Sequence, residues 1–255
     1  MFELPKSMLG DVSGFTITSP DPAFSFSFYR MLGFREMFRH DMPFPFILIS
    51  DGAVMMMIRQ DPVPYFAITY YVREIDKVIG WLEHERMKFI FRPGKNDLVR
   101  RYVMQSPDAL NISFVQWTDG FVQPAGKTML TMQQSEIFDA EKYTNKIIGM
   151  FGEVAHPVSD LNFSIGFWER MGFQLLSKFE SPYPWAIVSD GLHILGLHQS
   201  SKFSYPAMTF FASDMPDKID RLKGMGLSSY VHSGSGNIIV TTPENQHINL
   251  FKLGM

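Results

Sequence analysis

Five of the seven histidines lie beyond residue 150, at His156, His193, His198, His232 and His247. Imidazole is the side chain that titrates nearest neutral pH and a common nitrogen ligand for Fe, Zn or Ni, so these residues are the first candidates for chemistry. In an extended segment, residues two apart share a face. His247 and Asn249 in HINLFKL therefore point the same way, as do Gly196 and His198 in HILGLHQ. In the N-terminal half, AVMMMIRQ places Met55, Met57 and Arg59 on one face, an apolar strip ending in a permanent cation. Thr69 and Tyr71 share a face in FAITYYV, as do Asn111 and Ser113 in NISFVQW. Such a set suits a pocket with an aromatic wall and one cation, for an aromatic or anionic organic ligand. The alternative is that Met and Tyr fill this space and Arg59 points to solvent. His40, His84 and His232 read as exposed strand-end or helix residues. There is no cysteine, which excludes disulfides, thiolate metal sites and Cys nucleophiles. No Gly-rich phosphate loop, nucleophile elbow or HExxH pair occurs.

The segments that carry these residues occur twice. PFPFILISDG at 43–52 returns as PYPWAIVSDG at 182–191, an offset of 139. The same offset takes Asp21 to Asp160, Phe28 to Phe167, Tyr29 to Trp168, Gly33-Phe34 to Gly172-Phe173 and Gln60 to Gln199. One residue later, Ala67 and Thr69 fall on Ala207 and Thr209, and after a shortening Pro107 falls on Pro243. Each half reads as a β-strand, a helix opened by Asp, three strands with Asp-Gly at the last hairpin, and then the same order again. In the first helix, Phe24, Phe28, Met31 and Leu32 recur at helical spacing and Gly33 can end it. The repeat divides the chain into a first domain at 1–117, a connector at 118–149 and a second domain at 150–255. The connector includes the polar stretches QQSE and DAEKYTNK, with MLTM and IIGM as pieces able to dock on a domain.

This order resembles the vicinal oxygen chelate superfamily, the glyoxalase, bleomycin-resistance and extradiol-dioxygenase group. The likeness rests on FSFYRMLGF and IGFWERMGF after a strand, on the two Asp-Gly strands, and on the endings PDALNISFV and PENQHINLF. It implies an α+β fold of two tandem glyoxalase-like domains, each of two βαβββ modules forming a U-shaped mixed sheet with helices outside. A ligand would occupy the concave side. The fold hosts many reactions, so it does not choose among them.

Metal-dependent members hold a divalent ion with His and Glu from the first and last strands of the modules. Carried over one position at a time, the closing strands offer Ser113 and Asn249, neither anionic. The Asp-Gly strands offer Met57 and Gly196, and the opening strands of the second modules Ala67 or Ile68 and Ala207 or Met208. The first strands offer Gly14 or Phe15 and Glu153 or Val154. Apart from Glu153 the ligand set is missing, so no cofactor is expected and a divalent metal is disfavoured. A cluster of His198, His247 and His156 around the second cleft is the alternative to simple polar lining. The resulting expectation is a protein that binds a small organic molecule, with any catalysis being acid–base chemistry by His198, His247 or Glu153. The ligand would meet Met57, Arg59, Tyr71, Gly196, His198, His247 and Asn249, and the second-half cleft would be the roomier one because Gly196 stands where the first half has Met57. Two alternatives stand beside it: a metal-dependent lyase or dioxygenase with an altered ligand set, and an interaction module with filled clefts.

The net charge of −3 argues against a surface built for nucleic acid. No run approaches 18 apolar residues, so no membrane partner is expected. A cytoplasmic monomer or homodimer fits this composition.

Overall fold

The computed structural model describes residues 5–117, 122–201, 205–234 and 236–254. The first half runs β1 (Val12–Ser19), α1 (Pro22–Met31), β2 (Arg35–His40), β3 (Phe46–Ser50), β4 (Met55–Gln60), β5 (Phe66–Val72), α2 (Ile75–His84), β6 (Phe89–Phe91), β7 (Arg101–Gln105) and β8 (Asn111–Gln116). The second half repeats it as β9 (Met150–Pro157), α3 (Leu161–Arg170), β10 (Gln174–Phe179), β11 (Trp185–Ser189), β12 (Ile194–His198), β13 (Ala207–Ala212), α4 (Met215–Gly224), β14 (Tyr230–His232), β15 (Ile238–Thr241) and β16 (His247–Lys252). The strand orders match between the halves: β2-β3-β4-β1-β5-β8-β7-β6 and β10-β11-β12-β9-β13-β16-β15-β14. β5 pairs with β8 in parallel, as β13 does with β16, and the hairpin pairs are antiparallel. These are the two tandem mixed sheets that the repeat implies.

Local chemistry explains why both copies fold alike. Asp21 caps α1 by accepting from the backbone N–H groups of Ala23 and Phe24, and Pro22 opens the helix. Asp160 caps α3 by accepting from Phe163 N. Gly33 and Gly172, at φ +93° and +86°, end the helices in the left-handed conformation that glycine alone adopts without strain. One expectation changes. Phe24 is 65% exposed, and α1 buries Pro22, Ser25 and Tyr29 instead. The buried face is fixed by polar anchors: Ser25 donates to Ser19 Oγ at 2.7 Å, and the Tyr29 hydroxyl donates to Glu244 at 3.0 Å.

The chain falls into two compact units. The first comprises Met1–Thr16, Phe66–Gln123 and Ala155–Pro206; the second comprises Ile17–Tyr65, Pro124–Val154 and Ala207–Met255. Each unit therefore draws on both halves of the repeat. In the first, Tyr70 stacks on Phe114 at 5.7 Å and Trp168 packs on Phe173 at 4.8 Å. In the second, Phe210 meets Phe34 and Phe151 edge-on. The connector docks there as MLTM and IIGM suggest: Met129 N donates to Phe151 O, and Met132, Ile148 and Met150 are buried. Lys218 anchors it from α4, with Nζ donating to Lys146 O at 2.7 Å and lying 3.4 Å from Asp214. Among the described residues no helix is long and apolar enough to cross a membrane.

Candidate functional site

The first unit carries an aromatic row across three strands. Phe179, Trp185 and His198 sit directly opposite one another in the β10–β11–β12 register, so their side chains share a face. Phe179 stacks on Trp185 at 4.3 Å and Trp185 on His198 at 5.8 Å, with planes only 5° apart in the second pair. Tyr183 completes it: its hydroxyl is 3.2 Å from His198 Nδ1, and its ring meets the imidazole edge-on. Two residues along, Ile187 faces Gly196. Trp185 and Ile187 are half-exposed, whereas Ala186 and Val188, on the other face, are buried. His198 is 6% exposed, so it forms the floor of this face rather than its rim.

The second unit holds the duplicate face on β2–β4, with different contents. Met57 opposes Leu48, which is fully buried, and Arg59 opposes Phe46. Phe46 stacks on His40, in the place of the Phe179–Trp185 pair. Arg59 lies over the Phe44 ring at 5.2 Å and donates to Asp61 at 2.9 Å. The expectation of a lone cation in an apolar pocket is thus corrected: the short tether to Asp61 neutralises Arg59 and keeps it out of solvent.

The remaining expected residues are placed as follows. Asn249 and Ser113 occupy equivalent positions, opposite Thr209 and Thr69. Asn249 is engaged, its Nδ2 donating to Thr209 Oγ1 at 3.0 Å. Ser113 is 1% exposed and among the described residues its Oγ has no hydrogen-bond partner, while Thr69 bonds Thr16 at 2.8 Å. His247 opens β16 half-buried, opposite Ala207, and Glu153 is 7% exposed on β9. Tyr71 is buried, which raises its phenol well above the usual range. His40, His84 and His232 are exposed as expected.

His156 lies beside Ser106 and close enough to His198 for their charges to interact. It is 1% exposed, its Nε2 is 3.4 Å from Ser106 Oγ, and among the described residues its Nδ1 has no partner. Burial raises the carboxyl of Asp108, in the loop after Ser106, but three bonds together outweigh it and hold it below the usual range: it accepts from Ser159 N, from Ser159 Oγ and from Ser164 Oγ on α3. Burial pushes the His156 imidazole down to about 4, with Asp108 opposing the shift and His198 adding to it. A neutral buried imidazole that titrates freely when unfolded makes the unfolded state bind more protons between pH 6.5 and 4. Stability therefore falls as pH drops through that window. The expected result is that wild type loses about 2 kcal/mol more than His156→Gln between pH 6.5 and 4.5. Urea titrations at the two pH values measure it, and identical losses would refute it.

The sequence assigned His193 no role and did not single out Tyr183 or Trp185. His193 is 2% exposed, with Nε2 bonded to Thr69 O at 3.2 Å and its ring edge-on to Tyr70 at 4.8 Å. Burial lowers its pKa, against Asp190 and the Thr69 bond. Trp185 could have been found by counting outward from Asp190-Gly191: a hairpin that pairs Ser189 with Ile194 must pair Trp185 with His198.

A metal ion would need anionic or imidazole donors at the positions carried over from the metal-dependent relatives. Ala67 and Ala207 offer no donor, Ser113 and Asn249 are neutral, and the amide of Asn249 is already bonded to Thr209. The described residues include no group of three His, Cys, Asp or Glu arranged to hold an ion. These residues do not fit a divalent metal.

No family model matches the sequence, and no curated protein matches it. Solved structures do share its fold. The 2,3-dioxygenase LapB from Pseudomonas sp. KL28 superposes with a TM-score of 0.62 at 13% identity, over 99% of this chain and 94% of that one. Homoprotocatechuate 2,3-dioxygenase from Arthrobacter globiformis gives 0.62 at 13% identity, over 98% and 81%. A variant of the Brevibacterium fuscum enzyme gives 0.60 at 13% identity, over 96% and 72%. The chain has the fold of these 2,3-dioxygenases, with two tandem mixed sheets.

Proposed function

We propose that the β10–β12 face of the first unit binds a small planar organic molecule without the help of a metal. The observation that carries this reading is the ring row Phe179–Trp185–His198 ending beside Gly196, which contributes no side chain over Ile187. A flat aromatic ligand gains stacking on such a row and buries the half-exposed Ile187. One of the structures sharing this fold is a homoprotocatechuate 2,3-dioxygenase in complex with HPCA, which favours an aromatic ligand here. Tyr183 fixes the orientation of the His198 ring, so His198 is the group placed to take a proton from the ligand or return it. The half-exposure of Trp185 and Ile187 argues against an interaction module with a filled face. The reading also places the chain in the cytoplasm, as its cysteine-free composition favours, in monomeric or homodimeric form.

Catechol titration in the presence of EDTA tests the proposal through tryptophan fluorescence. Saturable quenching is expected, and Trp185→Ala should weaken binding about 10-fold through loss of stacking and covered area. An unchanged Kd in Trp185→Ala, measured by calorimetry, would sink it. The metal-dependent reading meets a separate test. Because the Asn249 and Ser113 positions lack charge, purified protein should hold well under one transition metal per chain. Elemental analysis finding about one, lost in His247→Ala, would revive that alternative.

A further inference from the structure

The geometry points to a second site: a groove in the second unit that takes a small organic anion, a carboxylate or phosphate ester with an apolar body. The groove encloses about 580 Å³, within the range of small-molecule pockets. The end of α1 and the start of β2 supply Arg30, Phe34, Arg35 and Met37, and the connector supplies Lys146 and Ile147.

Its charge is one-sided. Arg30 and Arg35 are exposed, and among the described residues neither forms an ion pair. Lys146 approaches Glu141 at 3.7 Å, a carboxylate that is itself 91% exposed. The groove's carboxylate, Asp51, is turned inward. Its Oδ1 accepts from the Ala53 and Val54 N–H groups at 2.9 Å and its Oδ2 from Asn145 Nδ2 at 3.2 Å. Burial also holds that carboxyl above the usual range, so it opposes an incoming anion weakly. Two guanidinium groups beside an ammonium suit an oxyanion, and Met37 and Ile147 suit an apolar body.

The duplication supplies an internal control. At the offset of 139, Gly33, Phe34, Ser50 and Asp51 return as Gly172, Phe173, Ser189 and Asp190. Packing common to both copies explains why these stay the same. Arg30 and Arg35 do not stay: their counterparts are Glu169 and Gln174. The fold is built without cations at these two positions in one copy, so its own stability does not account for both of them in the other. Recognition of an anion does.

Calorimetric titration of the full chain with phenyl phosphate, benzoate, inorganic phosphate and benzyl alcohol at low ionic strength tests this. Phenyl phosphate or benzoate should bind at one site per chain, more tightly than inorganic phosphate or benzyl alcohol, and the tighter of the two identifies the head group. The double variant Arg30→Glu/Arg35→Gln, which copies the counterpart residues, should weaken binding at least 10-fold while leaving the catechol titration unchanged. That last comparison separates failure of this site from failure of the β10–β12 reading. No saturable binding of either organic anion, or binding that survives the double variant, overturns the proposal. Equal affinity for inorganic phosphate overturns its apolar half. Matching thermal melts confirm that the variant is folded, as expected for two exposed positions.

Discussion

Asp190→Ala should destabilise the protein by about 4 kcal/mol, the largest effect expected of any single polar substitution in the first unit. Asp190 is fully buried. Its Oδ2 accepts from Ser7 Oγ at 2.6 Å and from the Tyr70 hydroxyl at 2.8 Å. Its Oδ1 accepts from Leu192 N at 3.0 Å and His193 N at 2.8 Å. Removing the carboxyl strands four donors, and burial denies water to two of them, the Tyr70 hydroxyl and His193 N. The Tyr70 phenol, which burial and the neighbouring carboxylate keep protonated, is one of those donors. Asp51→Ala is the matched comparison. That residue accepts the equivalent two turn N–H groups, but among the described residues its only other side-chain partner is the Asn145 amide at 3.2 Å. The loss there should be about 2 kcal/mol, and Asp190→Asn, which keeps an acceptor, should fall between the two. Urea midpoints of the three variants decide it. Equal losses for Asp190→Ala and Asp51→Ala would mean that Ser7 and Tyr70 contribute nothing.

That comparison shows where the sequence was legible. The two Asp-Gly turns could be read because their chemistry is local: a carboxylate accepting the next N–H groups and a glycine at φ +95° or +88°. The element order and the Asp-capped helices were legible for the same reason. What the sequence hid lies in segments without a duplicate. Asp190 is completed by Ser7 from the N-terminal segment and Asp51 by Asn145 from the connector, and no periodicity announces either. The phase of α1 was hidden likewise. Four apolar residues at helical spacing suggested a face, yet Phe24 is exposed because Ser19, just before the helix, and Glu244, distant in sequence, turn Ser25 and Tyr29 inward. At the site, alternation paired Gly196 with His198 correctly, but the partners of His198 lie on the adjoining strand and its loop, and those needed the register rather than the period. Arg59 was placed on the expected strand face, and its neutralisation by Asp61, two residues on, was open to view in the sequence and was passed over.

Gly196→Met should weaken catechol binding by at least ~100-fold, about 3 kcal/mol. The duplicate face shows what that substitution does. On β3–β4, Met57 stands opposite Leu48 and leaves Leu48 with no exposure. On β11–β12, Gly196 stands opposite Ile187, and Ile187 is half-exposed. Both pairs hold the same place in the register, so a methionine at 196 should lie over Ile187 as Met57 lies over Leu48. A ligand stacked on Trp185 would then have to displace a packed thioether chain, losing the apolar area on which its binding rests. The effect exceeds that of Trp185→Ala because it blocks the space instead of removing one contact. Gly196→Ala gives a graded control, with an expected loss of about 5-fold, and it keeps the idea testable should the methionine impair folding. The reciprocal Met57→Gly should expose Leu48 and destabilise the second unit by about 2–3 kcal/mol without changing catechol affinity. Should Gly196→Met melt normally and bind catechol with an unchanged Kd, the ligand lies elsewhere and the aromatic row Phe179–Trp185–His198 is a packing feature of the sheet.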